Sequence, residues 1–198
     1  MTDKNASEQA GKNPNTSIYV FWLVLALPLI GLLANKYILH GKPNFFIWTG
    51  EISTWLLIVS MLVTPLKLMF GPLPWLQTRR RHIGVAAFFY ALAHLAFWLK
   101  EVNMPDILRS FVRLEILPGW IAMAIFTILA ITSTDGWVRK LGTGWKTLHY
   151  WVYPAAALTF IHWAMTRPNA ISVYVYFAPL LVLSVWRILR YRRRMRGI

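Results

Sequence analysis

The chain has 198 residues, 57% of them hydrophobic and only 14% charged, with a mean hydropathy of +0.48. That balance excludes a soluble domain and reads as one integral membrane domain. The formal charge of +14 does not point to nucleic acid, because the cations fall in the gaps between apolar runs, where membrane proteins carry them. With no cysteine, disulfides, thiolate ligands and iron–sulfur clusters are excluded, and any metal must be held by His, Met, carboxylate or backbone.

Residues 1–17 are polar and read as a disordered cytoplasmic tail before a retained span. A signal peptide would instead set a short basic segment directly against the apolar core. Six apolar runs follow, Ile18–Ile38, Ile52–Phe70, Ile83–Leu99, Pro118–Thr132, Leu148–Met165 and Ile171–Leu189. They predict an all-α integral membrane protein, a six-transmembrane-helix bundle over residues 18–189. Several runs are near the short limit for a spanning helix, the fourth most of all. Pro28, Pro65 and Pro154 lie inside runs, where neighbouring helices can satisfy the freed backbone groups. With both termini cytoplasmic, fifteen of the 21 Lys and Arg residues fall inside and six outside, so the positive-inside rule selects that topology. Trp98, Trp120, Trp137, Trp145 and Trp163 stand at the ends of runs, as interfacial anchors do. Residues 190–198 form a basic cytoplasmic tail suited to an anionic leaflet.

The chemistry gathers on histidines. The stretch WKTLHYWVYPAAALTFIHW, Trp145–Trp163, carries His149 and His162 in one apolar run. On a single helix they would sit roughly 20 Å apart and not on one face, unless Pro154 changes the phase. Ionisable groups at membrane depth are costly and usually functional, and imidazole is a common ligand for haem iron. By topology His94 in run three and His162 in run five share the outer half of the bilayer, the arrangement a six-coordinate b-type haem requires. Small residues flank both: Gly84, Ala86, Ala87, Ala91 and Ala93 in run three, and Ala155, Ala156 and Ala157 in run five. They leave room for a flat macrocycle, although they serve plain helix packing equally. His82 and His149 share the inner level, so a second haem between them is an alternative to headgroup contact for His82. His40 reads as solvated. Arg167 and Lys100, at the outer end, are candidate partners for haem propionates.

GTGWKT at Gly142–Thr147 lacks the spacing and the preceding strand of a phosphate loop. No dinucleotide fingerprint exists, so electrons would have to come from a separate reductase, a bound flavin or membrane quinol.

The strings RRRHIG at Arg79–Gly84, AFFYALAH at Ala87–His94, WKTLHYWVY at Trp145–Tyr153 and IHW at Ile161–Trp163 resemble the ferric-reductase-like transmembrane family. Within it the likeness is to the haem-binding membrane subunits of bacterial periplasmic methionine-sulfoxide reductase systems. The resemblance implies an inner-membrane b-type cytochrome with one or two haems, fed by quinol or a cytosolic flavin reductase. Its acceptor would be a periplasmic molybdopterin reductase of the MsrP type, which repairs oxidised methionine. It also implies FMN, for which no site is apparent in the sequence. Carried over position by position, the ligands are His94, His162 and His149, the first two at an outer iron and the third at a possible second iron. Relatives with two haems place a further histidine fourteen before the outer one; here Arg80 stands there. Two other readings remain, a reductase of chelated iron and a haem-free, proton-coupled transporter.

Overall fold

A computed structural model describes residues 14–167 and 171–195. Among them every regular element is an α-helix. The helices are α1 (Pro14–Tyr37), α2 (Phe45–Phe70), α3 (Pro74–Glu101), α4 (Met104–Ser110), α5 (Leu117–Ile131), α6 (Asp135–Leu141), α7 (Thr143–His149), α8 (Val152–Thr166) and α9 (Ile171–Met195). The chain divides into two compact units at Asn44/Phe45. The first holds α1, whose helix begins at Pro14, inside the stretch expected to be tail. The second holds the remaining helices. There α9 carries the basic stretch Arg190–Arg194 onward as helix.

Local chemistry sets the turns. α2 ends into Gly71, which takes a positive φ of 89° and donates its amide to Lys67 O at 3.1 Å, a left-handed stop that glycine makes without steric cost. Pro74 then opens α3, where a missing amide hydrogen costs nothing. This tight connection returns α3 against α2, and Ser53 Oγ donates across the pair to Ala87 O at 2.8 Å. α5 opens with a proline in its first turn. Thr134 caps α6, its side chain accepting from the amide of Trp137.

α2 packs on α3, and α5 on α8; α3 touches α5, and α9 leans on α2 and α8. Leu57, Ile58 and Met61 of α2 meet Ala87, Ala156, Phe177 and Leu180 in the buried cluster. Alanine on α3 and α8 is what lets the helices approach this closely.

Three helices are long and apolar enough to cross a membrane: α1 over Ile18–Tyr37, α2 and α3. α5 and α6, bent by 91°, make a fourth if counted as one broken span. The chain is a membrane protein. α5 and α8 have 15 residues each, or about 22 Å, short of the ~30 Å hydrocarbon core.

The fifth run is not one helix. It breaks between α7 and α8 at Tyr150–Trp151, so His149 and His162 stand on separate elements. Pro154 is the cause: it cannot donate to the carbonyl of Tyr150, which takes the amide of Tyr153 at 3.1 Å in a tighter turn instead.

Ala156, 3% exposed at the meeting of α8 with α2 and α9, has no room to grow. Ala156→Leu should destabilise the chain by about 1–3 kcal/mol through overpacking, read as a lower thermal midpoint in detergent; an unchanged midpoint would contradict this packing.

Candidate functional site: a cavity between four helices

One face of each of α2, α3, α5 and α8 is turned to a shared cavity of about 780 Å³, within the roughly 300–1,000 Å³ usual for cofactor sites. On α3 the lining residues Arg80, Gly84, Ala87, Ala91, His94 and Trp98 recur every three or four positions, a single helical stripe. Gly50, Ser53, Leu57, Ser60 and Thr64 do the same on α2. The stripe on α3 runs from Gln77 to Trp98, so the cavity follows the helix for about 30 Å.

His94 and His162 both line it. His94 Nδ1 lies 2.8 Å from Phe46 O, and His162 Nδ1 lies 2.9 Å from Glu115 O. A carbonyl oxygen only accepts, so each ring must carry its hydrogen on Nδ1, and in the neutral imidazole Nε2 holds the free lone pair. A histidine whose second nitrogen is anchored on a main-chain carbonyl is oriented as metal-ligating histidines are. The phenyl ring of Phe46 also stacks on His94, with centroids 4.4 Å apart.

Glu115 belongs to the segment before α5. Its carboxylate is held below the ordinary carboxylate range, first by its own main-chain amide and then by Arg113, 2.8 Å away. This tether acts at neutral pH and is lost only in acid, as the pH falls through the depressed value. Around it Trp120 lines the cavity, donates Nε1–H to Ser110 Oγ at 3.0 Å and stacks on Phe111 at 4.5 Å. Glu51 and Arg167, also lining residues, pair at 3.7 Å.

The other end is cationic. Arg80 donates from Nε to Ser60 O at 2.9 Å and from Nη1 to Thr64 Oγ1 at 3.3 Å. Among the described residues no carboxylate pairs with it, whereas Arg81 pairs with Asp135. Lys146, Tyr150 and His149 line this end too. His149 is held differently from the other two. Thr132 Oγ1 donates to Ile128 O at 2.8 Å, so at 3.2 Å it accepts from His149 Nε2–H. Trp145 stacks on the His149 ring at 3.9 Å and donates Nε1–H to Thr132 O at 2.8 Å.

The structure therefore brings His94, His162 and His149 to one cavity, with the first two presenting Nε2 and the third holding it in a hydrogen bond. His82 does not join them: twelve residues from His94 on α3, it is about 120° off the lining stripe. Lys100 is also absent from the lining and sits 5.8 Å from the Phe97 ring centroid, while Arg167 is in place. His40 is exposed in the first unit. Sequence reasoning missed Phe46 and Glu115, which act through carbonyls that every residue has, and Gly50 and Gly119, whose only sign is glycine within helices that alanine would favour.

Histidines on separate helices around an apolar, cation-ended cavity make the chain an all-helical membrane scaffold built round one internal site. Residues 49–160 match the family described as ferric reductase like transmembrane component, and the chain belongs to that family. It is 34% identical over 150 residues to the protein-methionine-sulfoxide reductase heme-binding subunit MsrQ of Xanthomonas axonopodis pv. citri, covering 71% of this chain and 66% of that one. It is 34% identical over 191 residues to the MsrQ of Brucella ovis, covering 90% and 86%. The chain thus spans just under two thirds of the Xanthomonas relatives and most of the Brucella one. No solved structure matches it.

The hydrogen bonds assign tautomers. In cofactor-free protein, ¹⁵N spectra should show His94 and His162 as Nδ1–H and His149 as Nε2–H, and Thr132→Val should alter the His149 signals alone; one shared tautomer for all three would contradict the geometry.

Proposed function

We propose that the chain is a b-type cytochrome subunit that carries electrons across the bacterial inner membrane to a periplasmic methionine-sulfoxide reductase. The observation that carries this reading is the pair His94 and His162, on α3 and α8, each fixed through Nδ1 with Nε2 left to the cavity. The names of the relatives, heme-binding subunits of a protein-methionine-sulfoxide reductase, support this reading of the cofactor and the pathway.

The residues fit haem. Two neutral imidazoles suit low-spin iron, Gly84, Ala87 and Ala91 leave width for a planar ring, and Arg167 at the same end offers a cation to a propionate. When bound between two imidazoles, haem supplies one-electron chemistry through the ferric and ferrous states. The carbonyls of Phe46 and Glu115 draw on the Nδ1 hydrogens and make each Nε2 a stronger donor, which favours the ferric state. Leu57, Met123 and Phe126 keep the walls apolar.

Orientation follows the cations: the His94–His162 end is periplasmic and the Arg80–Lys146 end cytoplasmic, in a six-span bundle with both termini inside. The acceptor is an MsrP-like molybdopterin subunit. The donor, quinol or a cytosolic flavin reductase, meets the Arg80 end, and FMN, if carried, belongs there too, because its phosphate needs cations and Arg80 has no carboxylate partner among the described residues. His149 faces that donor, or takes a second haem once its bond to Thr132 is released.

His94→Ala and His162→Ala should each remove most of the haem measured by a pyridine-haem assay per chain; full haem content in the double variant would overturn the assignment. Stoichiometry divides the roles of His149: two haems with one lost in His149→Ala make it a ligand, and one haem retained makes it donor-facing. Reduced protein that is reoxidised by the periplasmic reductase and not by ferric chelates supports this acceptor over chelated iron; the reverse supports the iron reductase. Colourless protein with pH-dependent uptake would support a transporter instead.

A further inference from the structure

Each of the two rings lies against a glycine. A Cβ built on Gly50 would stand 2.7 Å from His94 Nδ1 and 2.9 Å from its Cε1. A Cβ on Gly119 would stand 3.0 Å from His162 Nδ1 and 3.1 Å from both Cε1 and Cγ. For both, the three nearest atoms all belong to the imidazole, which is true of no other described glycine. Neither glycine has the positive φ that would call for glycine on backbone grounds. Both stand in helices, where alanine is the favoured residue. The space of the missing Cβ is what the ring uses.

The two arrangements also share a register. His94 bonds the carbonyl of Phe46, four residues before Gly50, and His162 bonds the carbonyl of Glu115, four residues before Gly119. In α2 four residues is about one helical turn, so the Phe46 carbonyl and Gly50 lie one above the other on the same face. Glu115 stands in the turn just ahead of α5, and the His162 ring spans from that carbonyl to Gly119. The imidazole rests on the bare backbone at the glycine and reaches the oxygen four residues earlier. A methyl group there would push the ring off the surface and stretch or break the Nδ1–H···O=C bond.

The geometry points to Gly50 and Gly119 as positioning residues that seat His94 and His162 on their main-chain acceptors, in two copies of one device, a carbonyl and a glycine four residues on. This rests on the reading of the two histidines as haem ligands. The contacts are closer at Gly50, so its substitution has the larger effect.

The test uses full-length chain purified in detergent, as wild type, Gly50→Ala, Gly119→Ala, His94→Ala and the double variant Gly50→Ala/His94→Ala, with Gly136→Ala, whose Cβ would meet only Thr134 Oγ1 at 3.9 Å, as control. On the haem-loaded protein, Gly50→Ala should weaken haem retention by about 10-fold or more and shift the low-spin electron paramagnetic resonance signal and midpoint potential. Gly119→Ala should do so less, and Gly136→Ala not at all. Unchanged spectra and potentials in both glycine variants, in protein that loses haem on His94→Ala, would overturn the inference and leave the ligand assignment standing. Thermal midpoints need no haem. Gly50→Ala should lower the midpoint in wild type and leave it unchanged, or raise it, in the His94→Ala background, where the ring is gone. If Gly50→Ala alone does not fold, recovery in the double variant supports the inference. An equal loss in both backgrounds, as for a glycine needed for helix–helix packing, overturns it.

Discussion

An imidazole N–H inside an apolar bundle must find an acceptor, and in this chain two main-chain carbonyls provide it. The Phe46 carbonyl sits in the first turn of α2, and the Glu115 carbonyl just ahead of α5. Within a helix a carbonyl already receives the amide of its own ladder, so a second donor needs the remaining lone pair and open backbone around it. Glu115 O meets that need because the amide of Gly119 turns to Ile116 O at 2.9 Å. Since both acceptors stand at the beginnings of their helices, the two rings are drawn to the same end of the cavity. Height, tautomer and direction of the ring are thereby set by backbone, the part of the structure least free to move.

Simple counting set His94 and His162 at matching depth, because each lies a similar number of residues from the inner end of its run and run direction alternates, and both line the one cavity. Of the small residues singled out in the sequence, Gly84, Ala87 and Ala91 line the cavity below His94, whereas Ala86, Ala93, Ala155, Ala156 and Ala157 are absent from its lining. Other features leave a weaker trace: Pro154 signals a change of phase, not where the helix breaks. The break before α8 comes from Pro154, four residues after the carbonyl it deprives, while Tyr150 and Trp151 keep helical dihedrals. The seven-residue helices α4 and α6 are too short for a periodic signal and read as loop, and α7 merges with the start of the fifth run. Most hidden of all were Phe46 and Glu115, since a carbonyl acceptor carries no residue type.

The two ends of the cavity are unlike in charge. Near His94 and His162, Arg167 is paired with Glu51, and the aromatic group of Trp98, Trp120 and Phe111 closes the wall. At the other end Arg81 is neutralised by Asp135, but Arg80 spends its hydrogen bonds on the neutral groups of Ser60 and Thr64. Those contacts fix the guanidinium without cancelling its charge. A cation held in place beside a low-dielectric cavity attracts negative charge far more strongly than one in water, which is why an anionic or electron-rich donor is drawn there in the function proposed above.

The breaks in the helical ladder fall where this arrangement can use them. Non-helical backbone at membrane depth is tolerated only when it is buried in protein or lines a cavity, and Ser133 and Tyr150, beside the two breaks, are both lining residues. The end of α5 leaves the Thr132 carbonyl outside its own ladder, and Trp145 takes it. The same threonine accepts His149 through its hydroxyl. One interrupted turn thus supplies both acceptors that hold the Trp145–His149 stack. An uninterrupted α5 would have consumed that carbonyl in its own hydrogen bonds, so the bend of 91° between α5 and α6 is part of how the third histidine reaches the cavity wall.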